Sequence, residues 1–236
     1  MVANDPYILL AAARRLHRAG EWDTALALLA SQPDADVAEL RAQILVDRHW
    51  WRLDDPSLAQ AAIDVLDTAS PLALYLGAQL AYTRILFRRD PLADDAQTAG
   101  TGFHAATHDK SLRGWATFWL GVVADNVHHD PVAAQARYAE ALDLCRKEGD
   151  LLLESYVVRH LGGQAIERDH SQGEILLRRS LHLRSALGVR PQVAAAQATL
   201  AGELPEGPER EMLLEAAAAT ADELGLTWLL DALSDR

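Results

Sequence analysis

The feature that most constrains this chain is a residue pattern that recurs about every 40 positions between Lys110 and Gly188. Its first copy contains Trp115, Leu120-Gly121, Tyr138, Ala141 and Gly149, and its second contains Tyr156, Leu161-Gly162, Leu177, Ser180 and Gly188. The spacing from Gly121 to Gly162 is 41 residues, and that from Gly149 to Gly188 is 39. Self-similarity of this period is typical of repeat proteins, in which each unit buries its apolar face against its neighbours.

The composition around these markers favours helix over strand. Half of the residues are hydrophobic, and alanine and leucine supply most of them, whereas β-branched and aromatic residues are sparse. Apolar periodicity and its breaks predict helices over about 7–19, 21–32, 36–51, 56–66, 71–88, 91–108, 111–127, 131–148, 151–167, 171–187, 191–202, 207–224 and from 226 onward. Pro33 is read as the break after the second of these helices.

Three Asp-Pro pairs predict helix starts, at 55-56, 90-91 and 130-131. An aspartate at the N-cap accepts hydrogen bonds from free amides, and proline suits the next position because its missing N–H is no loss there. Gly100 and Gly102 fall inside the predicted 91–108 helix, where each costs about 1 kcal/mol relative to alanine. A kink or break is therefore expected in that helix.

Three glycines predict helix ends. Gly149, Gly188 and Gly225 each follow a helical segment, at the position where a left-handed residue closes a helix. The spacing from Gly188 to Gly225 is 37 residues, so the period continues into a third unit. Eight residues before each glycine stands a small residue, as a close helix crossing requires: Ala141, Ser180 and Ala217.

The two best copies resemble the tetratricopeptide repeat, whose pattern puts a small residue after leucine in helix A and two small residues around a bulky one in helix B. The matching residues are Leu120-Gly121, Ala134, Tyr138 and Ala141, and then Leu161-Gly162, Gly173, Leu177 and Ser180. The period is similar to that of repeat modules in bacterial signal-transduction regulators. The resemblance implies an all-α, right-handed α-solenoid of about six helix pairs with a C-terminal capping helix. It implies one domain over 1–236, with its best-defined repeats at 111–150, 151–188 and 191–225.

The resemblance also implies a concave groove lined by helix A of each unit, and hence a non-catalytic scaffold that binds a protein or peptide segment. By this register the groove residues are Tyr82, Trp115, Phe118, Asp125, Asn126, Tyr156 and Arg159. Two alternatives stay open for them: the aromatic rings fill the interhelix core, or the groove closes into the pocket of a small-molecule sensor. Arg159 could hold a carboxylate or phosphate, or could pair within the chain with Glu154, Asp125 or Glu167.

Net charge narrows the class of partner. The formal charge is −12, so neither nucleic acid nor an anionic membrane surface is expected to bind, and a neutral or basic protein segment fits better. Cys145 is the only cysteine, which excludes an internal disulfide. The first residues lack the basic region of a signal peptide, so a cytoplasmic location is expected. A homo-oligomer is left open.

No motif in the sequence favours an enzyme, a cofactor or a metal. His104 and His108 have the i,i+4 spacing of a zinc pair, but no glutamate lies between them to act as a base. His128 and His129 fall in a predicted turn, where solvated polar residues are common. No nucleophile elbow or phosphate loop is present, so neither catalysis nor a cofactor is expected.

Overall fold

The computed structural model describes residues 6–30 and 34–234, and within them the chain forms thirteen helices and no strand. The helices are α1 (Pro6–Arg18), α2 (Trp22–Leu29), α3 (Ala35–Arg52), α4 (Ser57–Asp64), α5 (Pro71–Phe87), α6 (Asp95–Ala106), α7 (Arg113–Asn126), α8 (Pro131–Glu148), α9 (Leu151–Ile166), α10 (His170–Leu187), α11 (Arg190–Glu203), α12 (Pro208–Leu224) and α13 (Thr227–Ser234). The all-α prediction is confirmed. The break predicted at Pro33 lies outside the described residues.

Several helix ends follow the expected local chemistry. The carboxylate of Asp130 accepts a hydrogen bond from the Ala133 amide at 2.9 Å and caps α8. The predicted glycine ends are confirmed, because Gly149, Gly188 and Gly225 have φ of 74°, 67° and 68°. The glycine after each of these three helices therefore marks where the helix ends.

One of the three predicted Asp-Pro starts is wrong, and another is displaced by one residue. Helix α4 starts at Ser57, directly after Pro56, and the Asp55 carboxylate accepts a hydrogen bond from the Ser57 amide at 2.9 Å. The helix predicted to start at Pro91 starts at Asp95 instead. The Asp95 carboxylate is ion-paired with Arg84 of α5 and accepts the Leu92 amide at 2.7 Å, so a tertiary contact sets this boundary.

The predicted kink in α6 is also wrong. The helix runs unbroken from Asp95 to Ala106 through both of its glycines. A Cβ on Gly102 would lie 2.6 Å from the Leu74 carbonyl oxygen and 2.9 Å from the Ala78 Cβ, both on α5. Close packing of α6 on α5 therefore requires this glycine, and the packing outweighs its low helix propensity.

The helices assemble into two compact units. Unit 1 combines the two ends of the chain, up to Leu66 and from Arg184, and unit 2 spans Asp67–Leu183. In unit 1, helices α1 to α3 share one core with α11 to α13, formed by Leu10, Ala13, Trp22, Ala25, Leu29, Ile44, Trp51, Ala194, Ala198, Ala217, Ala221, Leu224, Leu226 and Leu229, among others. The repeat pattern predicted contacts between successive units, so it did not foresee this joining of the chain ends.

The helix predicted to cap the C-terminal end, α13, packs against helices from both ends of the chain. Helix α13 packs on α12 and also on α3. Trp51 of α3 and Trp228 of α13 stack with ring centroids 5.4 Å apart. A Cβ on Gly20 would lie 2.8 Å from Leu224 Cδ1, so the turn after α1 approaches the end of α12 just as closely. The last helix is therefore part of the unit 1 core.

The two best-matching repeats lie in unit 2, and in each of them a glycine of the first helix packs closely against the second helix. Helices α7 and α8 pack as a pair, and a Cβ on Gly121 of α7 would lie 2.8 Å from the Tyr138 ring of α8. In the next pair, a Cβ on Gly162 of α9 would lie 3.1 Å from Leu177 of α10. Helix α7 also contacts α5 on one side and α9 on the other. These contacts place α5, α7 and α9 next to one another.

Candidate functional site

The seven predicted groove residues come together in unit 2, on α5, α7 and α9. The Asn126 amide donates to the Tyr82 hydroxyl at 2.6 Å, which joins α7 to α5. The Trp115 and Tyr156 rings meet with centroids 5.1 Å apart, which joins α7 to α9. Phe118 lies 5.8 Å from Tyr156 by ring centroid. The helical register therefore selected residues on three helices that lie side by side.

Burial corrects the predicted role of two of these rings. Tyr82 and Phe118 each keep only 1% of their surface exposed, so their rings offer no exposed face to a partner. Phe118 is enclosed by other rings, those of Trp115, Trp119, Tyr138, Tyr156 and His160. The alternative given above, an interhelix core position, describes both rings. A binding role of the Tyr82 hydroxyl stays a prediction.

The two tryptophans of α7 differ in environment. Trp119 is buried, and its indole N–H donates to the Tyr75 hydroxyl at 2.9 Å. Trp115 is half-buried, and its indole N–H donates to Asp150 at 2.9 Å. Asp150 also accepts the Leu153 amide at the start of α9. Trp115 thus keeps part of its surface exposed while its nitrogen links α7 to the start of α9.

A hydrogen-bonded chain crosses from α9 through α8 to α7. The Tyr138 hydroxyl donates to Asp125 Oδ2 at 3.2 Å, and its oxygen lies 3.2 Å from His160 Nδ1. The phenol has one proton and donates it to the carboxylate, so Nδ1 of His160 can bond the phenol oxygen only as a donor. Gln164 also reaches Asp125 Oδ2, at 3.5 Å. This hydrogen-bond network holds the Oδ2 atom of Asp125 in place.

The sequence did not predict a site role for three residues of this hydrogen-bond network: Tyr138, His160 and Gln164. Tyr138 was assigned to packing alone, and its ring does pack against Gly121. A signal existed on α9, where Tyr156, His160 and Gln164 follow one another at i,i+4 spacing along one face. The contact from α9 to the Tyr138 hydroxyl needs three-dimensional information.

Both phenols stay protonated at neutral pH. Burial raises the pKa of Tyr82 to about 12, an increase that the hydrogen bond from Asn126 partly offsets. Burial also raises the pKa of Tyr138 well above its ordinary value of 10.0, and the negative charge of Asp125 raises it further. The hydroxyls therefore act as neutral hydrogen-bonding groups and not as acids or bases.

Arg159 is a partly buried charged group without a partner among the described residues. It is half-buried on α9, and its guanidinium forms no ion pair or hydrogen bond with any residue in 6–30 or 34–234. The intrachain pairs considered above do not form; Glu154 instead pairs with Arg179 at 2.6 Å. Burial lowers the pKa of Arg159, and the nearby Tyr138, Tyr82 and Asp125 oppose that shift. The side chain therefore stays cationic, and its N–H groups bond to no protein group in the described part of the chain.

Asp125 has an unused acceptor beside this cation. Its Oδ2 accepts from Tyr138 and Gln164, whereas its Oδ1 accepts from none of the residues that the structure describes. Asp125 and Arg159 interact electrostatically but do not form an ion pair. We call the group formed by Tyr82, Asp125, Asn126, Tyr138, Arg159 and His160 the Asp125–Arg159 centre. It offers opposite charges, each with free hydrogen-bonding capacity.

Metal ligands do not cluster in the described part of the chain. No three His, Cys, Asp or Glu side chains there come together as a metal site needs. The exposed rings of His104 and His108 lie edge to face with centroids 5.6 Å apart. His128 and His129 are exposed in the turn between α7 and α8.

Comparison with known proteins gives no match, either to a family model or to a curated protein. Among the described residues no helix is long and apolar enough to cross a membrane.

Proposed function

We propose that this protein is a non-catalytic binding module that holds a protein or peptide segment at the Asp125–Arg159 centre. The observation that carries the proposal is the partnerless guanidinium of Arg159, half-buried beside two phenols and a carboxylate. A desolvated charge without a partner lowers stability, by several kcal/mol when it is fully buried. A carboxylate of a bound segment would satisfy the guanidinium in bidentate fashion and offset that cost.

The packing of unit 2 supports a tetratricopeptide-like arrangement for the binding surface. Gly121 against Tyr138 and Gly162 against Leu177 are equivalent close contacts in successive helix pairs. Contacts of α7 with α5 and with α9 correspond to helix A lying beside helix A, as in a right-handed solenoid. In that arrangement helix A lines the concave face, on which Trp115, Tyr156 and Arg159 would meet the ligand. The chain's charge of −12 favours a neutral or basic segment.

A second candidate function, small-molecule sensing, is favoured by one observation. The rings of Tyr82 and Phe118 are buried, which leaves fewer exposed aromatic anchors than a peptide groove normally has. A compact polar centre with few exposed rings suits a small ligand held mainly by hydrogen bonds and charge. Both candidates use Arg159 and differ in the size of the ligand.

A peptide array tests the first candidate. Labelled wild-type protein, Arg159→Met and Arg137→Met would be applied to the same random-peptide array. Arg137 is the control because it is exposed on α8 and, within the described residues, pairs with Glu140 alone. We expect peptides that bind wild type and Arg137→Met to bind Arg159→Met at least ~10-fold more weakly, since a charge-assisted hydrogen bond contributes about 1.5–3 kcal/mol.

Two results would count against this function. Peptides that bind wild type and Arg159→Met equally would exclude the Asp125–Arg159 centre as the site. An array on which wild type binds nothing would contradict the peptide function. In that case a thermal-shift screen of small metabolites against wild type and Arg159→Met would test the sensor function.

A further inference from the structure

The Asp125–Arg159 centre presents two opposite charges that do not neutralise each other. In a half-buried position such charges attract strongly and would normally close into an ion pair. Here the Oδ2 atom of Asp125 is bonded to Tyr138 and Gln164, and the Tyr138 hydroxyl also lies 3.2 Å from His160, the residue after Arg159 on α9. The guanidinium forms no ion pair with the Asp125 carboxylate. Each charge therefore keeps unused hydrogen-bonding capacity toward a third group.

The position of Asp125 adds to its need for a cation. It is the penultimate residue of α7, and no basic residue lies in the last turn of that helix. The C-terminal end of a helix carries partial negative charge, so a carboxylate there is unfavourable unless a cation is close. Asp125 Oδ1 and the end of α7 together favour a positively charged ligand group.

The surroundings of Arg159 limit the anion. A dianion such as phosphate would lie beside the Asp125 carboxylate and would be repelled, whereas a monoanionic carboxylate is repelled less. The centre therefore suits one carboxylate and one cationic nitrogen on the same ligand.

We propose that the Asp125–Arg159 centre binds a zwitterion whose carboxylate and cationic nitrogen are close together, as in an α-amino acid. The carboxylate pairs with Arg159 and the cationic nitrogen with Asp125. The proposal rests on the binding function above and specifies its ligand. The same two charges occur in a free amino acid and in a peptide that ends in a basic residue with a free carboxylate. The test separates these two sources.

Calorimetric titration of the whole protein provides the test. Each standard amino acid is titrated first. The tightest binder is then compared with its N-acetyl derivative, which lacks the α-ammonium charge, and with its α-methyl ester, which lacks the α-carboxylate charge. Tetrapeptides that end in arginine, as free acid and as amide, form the peptide arm. We expect the compound with both charges to bind at least ~10-fold more tightly than either single-charge derivative.

Two substitutions make the test specific. Asp125→Asn should weaken the zwitterion by ~10-fold or more, but should strengthen the N-acetyl compound because it removes a repulsive charge. Arg159→Met should abolish binding of both compounds. Glu140→Gln, an exposed change on α8, should alter neither. A merely structural role of Asp125 would change both affinities in the same direction.

The far-ultraviolet circular-dichroism spectrum and the melting temperature of each variant guard against a disturbed fold. Equal responses of the two compounds to Asp125→Asn, or no binding by any compound with both charges, would overturn this inference. Peptide binding that needs Arg159 but not Asp125 would overturn the inference and leave the binding function standing.

Discussion

At the scale of single residues, glycine has two opposite effects on the helices of unit 2. A Cβ on Gly121 would lie 2.8 Å from two atoms of the Tyr138 ring, so the helix pair α7–α8 has no room for a methyl group there. A Cβ on Gly163 of α9 would meet open space. Packing requires the first glycine, whereas the second only lowers helix propensity.

These two sites form a matched pair for mutation. Gly121→Ala should lower the free energy of unfolding by about 1–3 kcal/mol, because overpacking displaces Tyr138. Gly163→Ala should raise it by up to about 1 kcal/mol, because alanine favours helix. Chemical denaturation of both variants checks the prediction. Similar effects of the two substitutions would contradict the close contact.

The single thiol should be unreactive in the folded protein. Cys145 is 1% exposed, and burial raises its pKa to about 11, with further increases from Glu154 and Asp150. Because the raised pKa keeps the thiol protonated, native protein at pH 8 should react with Ellman's reagent only slowly. The same protein in guanidinium chloride should react at once. Fast stoichiometric labelling of native protein would show that the site is open.

At the scale of helices, the pair α5–α6 is joined by a buried ion pair. Asp95 is 1% exposed, and its carboxylate binds the Arg84 guanidinium and the Leu92 amide. Asp95→Asn should therefore lower the free energy of unfolding by about 3 kcal/mol, because it leaves the charge of Arg84 uncompensated. Thermal and chemical unfolding give the value.

An exposed ion pair supplies the control for this prediction. Arg137 and Glu140 pair on the surface of α8 with about half of each side chain exposed. Glu140→Gln should change the free energy of unfolding by less than about 1 kcal/mol, because solvent screens such pairs. An equally small effect of Asp95→Asn would show that the buried pair does not hold α5 and α6 together.

The same helices show what could be predicted from the sequence. Apolar period located the helices, and the residues Gly149, Gly188 and Gly225 located three ends, since both signals are local. The start of α6 was missed because the Arg84–Asp95 contact decides it. Helical register brought Tyr156 and Arg159 to one face. It could not show that Phe118 would be enclosed.

At the scale of the whole molecule, the two chain ends form one core in unit 1. Leu226, between α12 and α13, is completely buried in that core. Leu226→Ala should lower the free energy of unfolding by about 2–5 kcal/mol, because it leaves a cavity. Leu58→Ala on α4, where the side chain is 54% exposed, should change it by about 0.5 kcal/mol or less. Equal effects on the melting temperature would contradict a core shared by the chain ends.

The central claim is that Arg159 is kept unpaired for a ligand and does not stabilise the fold. The most direct measurement is the melting temperature of ligand-free Arg159→Met beside wild type and Arg137→Met. Removing a desolvated, partnerless charge should stabilise the protein by about 1–2 kcal/mol and raise its melting temperature by about 2–5 °C. Arg137→Met should melt within about 1 °C of wild type. A melting temperature of Arg159→Met several degrees below wild type would show that Arg159 stabilises the fold, and would contradict the claim.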